Sequence, residues 1–128
     1  MTKVLVVDDN EDILESTASL LELRGYEVAT LSNAGKVLAS LAERPPDILL
    51  QDCHMPGLDL AALIRAIRAQ PRLHALPILL FTASTDAAES WSAVGANGLV
   101  WKPFEAPELQ RAIERCLVEG RATASIPH

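Results

Sequence analysis

The sequence predicts an α/β domain built on one parallel sheet, with five strands alternating with five helices. Three observations carry this. The apolar pattern switches regularly between short β-type runs and helical stripes, and strand candidates one, three and four are near-continuous apolar runs. Chain-turning residues, Gly25, Pro45, Pro46 and Gly95 among them, punctuate the segments. Strands joined through helices run parallel with right-handed crossovers and carry helices on both faces, a doubly wound arrangement.

Each element has its own signal. KVLVV (3–7) is a short β-branched run, and Ile13, Thr17, Leu20, Leu21 and Arg24 then recur at helical spacing up to Gly25. YEVAT (26–30) is a second, half-alternating strand, and Ala34, Val37, Leu38 and Leu41 mark a helix that stops before Pro45 and Pro46. DILLQ (47–51) is the third strand, followed by the stripe Leu60, Leu63, Ile64 and Ile67. PILLF (77–81) is the fourth, with Pro77 at its first position, where a missing amide is tolerated. Ala87, Trp91 and Val94 mark a fourth helix that Gly95 stops. GLVW (98–101) is the fifth strand, and Leu109, Ala112, Ile113, Cys116 and Leu117 line a last helix with Pro107 in its first turn. No stripe continues past Val118, so residues 1–119 are read as the domain and 120–128 as a flexible tail or the start of a linker.

A chain of 128 residues fits one domain with a real core. Its 49% hydrophobic content is globular, and with 4% aromatic residues the core must be aliphatic. Eleven Lys and Arg stand against seventeen Asp and Glu, a net charge of -6, and the basic residues are scattered. Direct nucleic-acid binding needs a positive face and is not expected. The sequence opens without a signal-like segment, and no apolar run approaches the roughly 20 residues of a membrane span, so a soluble cytoplasmic protein is expected. Cys53 and Cys116 form no CxxC pair and are read as buried reduced thiols, which suits that compartment.

In such sheets the site lies outside the carboxyl ends of the strands, where strand order reverses. The first strand runs into Asp8 and Asp9, the third ends at Asp52, the fourth at Thr82 and the fifth at Lys102. All land on one edge. Three carboxylates brought together repel, and a divalent cation relieves the conflict. An all-oxygen set suits a hard ion, Mg²⁺ first, with Mn²⁺ or Ca²⁺ as substitutes. A carboxylate beside such an ion can attack phosphorus, provided that positive charge and donors surround the phosphoryl oxygens. Lys102 supplies an ammonium, Thr82 a hydroxyl, and Asp52 on the middle strand is the nucleophile candidate.

The motifs VLVVDDN, DILLQDCHMPG, ILLFTAS and LVWKPF stand in an order and spacing that resemble the receiver domain of two-component response regulators. The single-domain chemotaxis regulator is the simplest member, and the resemblance spans Lys3 to about Leu117. It implies a flavodoxin-like strand order 2-1-3-4-5. It further implies that Asp52 is the phosphoacceptor, that Asp9 binds Mg²⁺ directly with Asp8 beside it, and that the backbone carbonyl of His54 is the third protein ligand. Thr82 resembles the switch hydroxyl and Lys102 its cationic partner, with a cis Lys102-Pro103 bond. A histidine kinase or phosphotransfer protein is the implied phosphoryl donor, and the new dianion shifts the face of the fourth helix, fifth strand and fifth helix. The implied reader is a downstream protein or an output domain outside these residues, and the implied state a monomer or a phosphorylation-linked dimer.

The sequence departs from the family in places. Leu99 stands where many receivers carry Tyr or Phe, and by strand alternation Trp101 shares its face, either to take over that role or simply to pack. MPGLDL replaces the commoner MPGMDG, so that Leu60 extends the third helix's stripe. The His54 side chain has two readings, control of water access to the site or plain exposure to solvent. Ser84 either flanks the same path or caps the fourth helix, and Trp91 is either core or partner surface. His74 and His128 receive no function.

Two other functions compete. A haloacid dehalogenase-like phosphatase needs Asp-x-Asp after the first strand and a cap over its substrate, whereas VVDDN has adjacent aspartates. The chain is therefore read as a regulator that assists its own phosphorylation and dephosphorylation, not as an enzyme. A receiver-like scaffold that binds partners without phosphorylation is the alternative. Flavin or dinucleotide binding lacks a Gly-rich loop after the first strand.

Overall fold

The computed structural model describes residues 1–83 and 95–125, with side chains through Val118. Strands β1 (Lys3–Val7), β2 (Glu27–Leu31), β3 (Ile48–Asp52), β4 (Ile78–Thr82) and β5 (Gly98–Trp101) form one sheet in the order β2-β1-β3-β4-β5. Every pairing is parallel. The expected order is the one found. β1 lies between β2 and β3, so strand order reverses there and a crevice opens at the carboxyl ends of β1 and β3.

Three helices occupy the described crossovers, α1 (Glu11–Leu23), α2 (Val37–Glu43), entered through a 3₁₀ turn at Ala34–Lys36, and α3 (Leu60–Ala69), and α4 (Ala106–Ser125) follows β5. The expected stripe of Ala87, Trp91 and Val94 lies outside the described residues, as do Ser84 and His128. Asn10 caps α1, its side chain accepting from the amides of Asp12 and Ile13, and Asp59 caps α3 at the amide of Ala62. Gly25 ends α1 at φ 92°, a conformation that a Cβ disfavours. The backbone of α4 stays helical to Ser125, past the end of the apolar stripe. No helix among the described residues is long and apolar enough to cross a membrane.

Strand alternation divides the core in two. Val4, Val6, Leu50, Leu79 and Phe81 pack against α1 and α4 through Leu14, Leu21, Leu109 and Ile113. Leu5, Val7, Leu49, Ile78 and Leu80 pack against α2 and α3 through Val37, Leu41, Ile64 and Ile67. Strands β3 and β4 are buried along their whole length, which is why their sequences are continuous apolar runs. Each such Leu or Ile contributes roughly 1.5–3 kcal/mol relative to exposure. Both cysteines are buried and neither is in a disulfide, as read from the sequence. Three strands begin one residue later than predicted. At β2 the reason is that Tyr26 closes the end of α1, its amide donating to Leu21 O at 3.2 Å. At the other end β3 and β4 take in Asp52 and Thr82, which are thereby held in ladder register with Phe81 and Trp101.

Candidate functional site

Asp8 leaves β1 with its amide donating to Leu31 O at 3.2 Å, which turns its side chain into the crevice. The carboxylate is fully buried; Oδ1 accepts from the Asn10 amide at 2.9 Å and Oδ2 from Lys102 Nζ at 2.8 Å. Asp52, also buried, ends β3, while Asp9 is exposed. Carboxylate oxygens of Asp8, Asp9 and Asp52 lie within 4.8 Å of one another. The sequence reading had put these three on one edge, and the fold makes them a cluster.

Lys102 reaches the cluster from β5, its amide donating to Thr82 O at 2.8 Å. Its Nζ is 3.4 Å from Asp52 Oδ1 and 4.6 Å from the centroid of the Phe81 ring, a cation–π position. Phe104 meets Phe81 edge-on at 6.2 Å. The Lys102-Pro103 bond is cis. Thr82 is fully buried.

Charge is unbalanced here, three carboxylates against one ammonium. Burial pushes the Asp52 carboxyl up to about 6, with Lys102 pulling it down and Asp8 pushing it up further. Cys53 next to it is raised to about 11 by burial first and by the Asp52 charge second, with Lys102 and a hydrogen bond from Thr82 acting the other way. This donor set fits a hard divalent cation, being all oxygen, closely spaced and short of positive charge.

After Asp52 the chain turns sharply. Leu58 N donates to Met55 O at 3.1 Å and Gly57 sits at φ 76°, with Pro56 before it, the pattern of a type II turn. The His54 amide lies 3.4 Å from Asp52 Oδ1, and its exposed side chain lines an open cleft of about 420 Å³ beside Asp8, Asp9, Asp52 and Lys102. The side chain is thus solvent-facing and at the cleft wall. Leu60 opens α3 and packs on the core, as expected, and so does Leu99. Trp101 is 43% exposed. His74 is structural, Nδ1 lying 3.0 Å from Arg68 O.

Sequence reasoning missed Phe81 and Gln51. Phe81 is buried in the core and is also a platform for Lys102. Gln51 is fully buried, and one polar residue inside ILLQD was a signal available in the sequence.

A family model of the response regulator receiver domain matches residues 4–114. Among curated proteins the chain is similar to the phosphate regulon transcriptional regulatory protein PhoB of Rhizobium meliloti, 34% identical over 91% of this chain and 52% of that protein. It spans about half or less of the curated relatives it matches. Among solved structures, the chemotaxis response regulator CheY4 of Vibrio cholerae is similar at TM-score 0.82 and 32% identity, over 91% of this chain and 98% of that one. The receiver domain of the sensor histidine kinase PA1611 of Pseudomonas aeruginosa, solved with a magnesium ion coordinated in its active site cleft, is similar at TM-score 0.83 and 30% identity, over 91% and 97%.

Proposed function

Because the chain belongs to the response regulator receiver domain family, we propose that it is a phosphoacceptor switch, Asp52 taking a phosphoryl group from a histidine kinase or phosphotransfer protein. The observation that carries this is the buried Asp52 carboxylate, clustered with Asp8 and Asp9 and 3.4 Å from the Lys102 ammonium. Such regulators are not enzymes in the usual sense, and Asp52 is both the reactive group and the modified one.

Asp8, Asp9, Asp52 and the backbone carbonyl of His54 would hold Mg²⁺, with Mn²⁺ or Ca²⁺ as substitutes. When bound, the cation neutralises the carboxylates and draws charge from the phosphoryl oxygens. Asp52, as a carboxylate, attacks phosphorus with an oxygen lone pair, and the donor's imidazole nitrogen leaves with the electrons of the broken N–P bond. Lys102, steadied by Asp8 and the Phe81 ring, turns its ammonium to the new dianion. The Thr82 hydroxyl donates to a phosphoryl oxygen. Loss of the Lys102–Asp52 ion pair then biases β5 and the start of α4, together with the helix expected before Gly95, toward a second arrangement.

The domain comprises residues 1–119, with 120–128 a tail or linker start, and works in the cytoplasm as a monomer or a phosphorylation-linked dimer. Its output passes to a downstream protein or to a domain outside these residues, as the transcriptional regulators among its relatives suggest. Incubation with acetyl phosphate and Mg²⁺, read by intact mass, tests the reading. One added phosphoryl group is expected, absent in Asp52→Asn and with a chelator. No adduct, and no response to beryllofluoride, would leave the phosphorylation-independent scaffold in its place.

A further inference from the structure

Gln51 is a part of the site that the phosphoacceptor chemistry leaves unused. It precedes Asp52 in β3 and is fully buried, and strand alternation turns it to the opposite face, beside Leu49 and Cys53 of the α2 and α3 core. Its Oε1 accepts no hydrogen bond among the described residues. A buried acceptor without a partner disfavours the folded state, and an apolar side chain of similar size avoids the penalty. The benefit of an amide must therefore lie at its donor end.

There Nε2 donates to the backbone carbonyl of Asp52 at 3.0 Å and meets Met55 Sδ at 3.4 Å. A carbonyl only accepts, so the orientation of the amide is fixed. One nitrogen thus ties residue 52 to residue 55, with Cys53 and His54 between them. The Cys53 amide is anchored to Phe81 O at 3.1 Å on one side, and Met55 begins the tight turn on the other. His54 has an exposed side chain and, among the described residues, an amide with only the long contact to Asp52, so its peptide is set by these flanking anchors.

We infer that Gln51 is a positioning residue for the cation site: by clamping Asp52 O and Met55 Sδ it fixes where the His54 carbonyl stands relative to the three carboxylates. The inference rests on reading Asp8, Asp9, Asp52 and that carbonyl as the cation's holders.

The test uses the full chain and Mn²⁺ alone, bound Mn²⁺ being counted by electron paramagnetic resonance and displaced with Mg²⁺. Gln51→Leu is expected to change the melting temperature in chelator by only a few degrees, because the orphaned acceptor is gone while Asp52 O loses its donor. It should nevertheless weaken Mn²⁺ binding about tenfold, the low end for losing an outer partner of a metal ligand. Met55→Leu should weaken it less, and the double variant no more than Gln51→Leu alone. If Gln51→Leu does not fold, Gln51→Met, unbranched and without donors, takes its place under the same two readings. A folded Gln51 variant that binds Mn²⁺ like the wild type, while Asp9→Asn binds it weakly, overturns this inference alone. Absence of Mn²⁺ binding by the wild type, or equal binding by Asp9→Asn, overturns the cation site and this inference with it.

Discussion

Asp52 sits out of water at the end of a strand buried on both faces, and its position sets a pH dependence for the whole fold. Its carboxyl titrates at about 6 in the native chain against an ordinary 3.8, burial being the main cause. The native state therefore holds a proton that the unfolded state has released between those two values. Stability falls as pH rises from about 4 to about 6, and this contribution is flat above that. In chelator the melting temperature of the wild type should drop across that window relative to Asp52→Asn; parallel curves for the two proteins would refute the assignment. The adjacent Cys53, raised to about 11, should resist iodoacetamide at pH 8 until denaturant is added. At this scale the carboxylates, Thr82 and Lys102 were legible because their types and strand-end positions are chemical signals in themselves. Gln51 and the aromatic face of Phe81 were not, because their roles depend on atoms brought close by folding, which alternation along a strand does not encode.

Elements are joined by groups that look unremarkable in sequence, and Arg68 on α3 is the main one. Its guanidinium donates to the carbonyls of His74 at 3.2 Å, Leu76 at 2.6 Å and Gly95 at 3.0 Å, and to Asn97 Oδ1 at 3.1 Å. Asn97 Oδ1 also accepts the first amide of β4, from Ile78, at 2.8 Å. One side chain thus ties the end of α3 to the approaches of β4 and β5. Burial lowers its pKa, and no carboxylate pairs with it among the described residues, so these carbonyl bonds sustain its charge. Arg68→Met should cost about 2–4 kcal/mol in a urea titration, since several acceptors lose a charged donor together. Arg68→Lys should recover little of it, because an ammonium cannot reproduce a planar fork. Asp59→Ala, which removes only the α3 cap, sets the comparison at about 1 kcal/mol. A loss for Arg68→Met no greater than that would mean water replaces the fork. Strands were legible to within a residue from period and punctuation, whereas the last helix continues to Ser125, beyond the apolar stripe that marked it. The Arg68 junction was hidden, since an arginine beside a helical stripe reads as a solvated charge, as Arg65 on the same helix is.

For the whole molecule, the order of strands followed from alternation of strand and helix together with the family resemblance, and the same topology concentrates negative charge at one crevice of a chain already at -6. A cation that binds only the native crevice stabilises by RT ln(1 + [L]/Kd), about 1.4 kcal/mol at ten times Kd. In a domain of this size that raises the melting temperature by about 4–6 °C. The rise should be seen with Mg²⁺ at pH 7.5 and not with NaCl at matched ionic strength, which screens charge without coordinating. Asp9→Asn should lose most of it. The rise should also shrink at pH 5, where Asp52 carries its proton and no longer competes for a cation. An equal Mg²⁺ effect at both pH values, or one retained in Asp9→Asn, would place the cation elsewhere on this acidic surface and detach it from the β1 and β3 crevice.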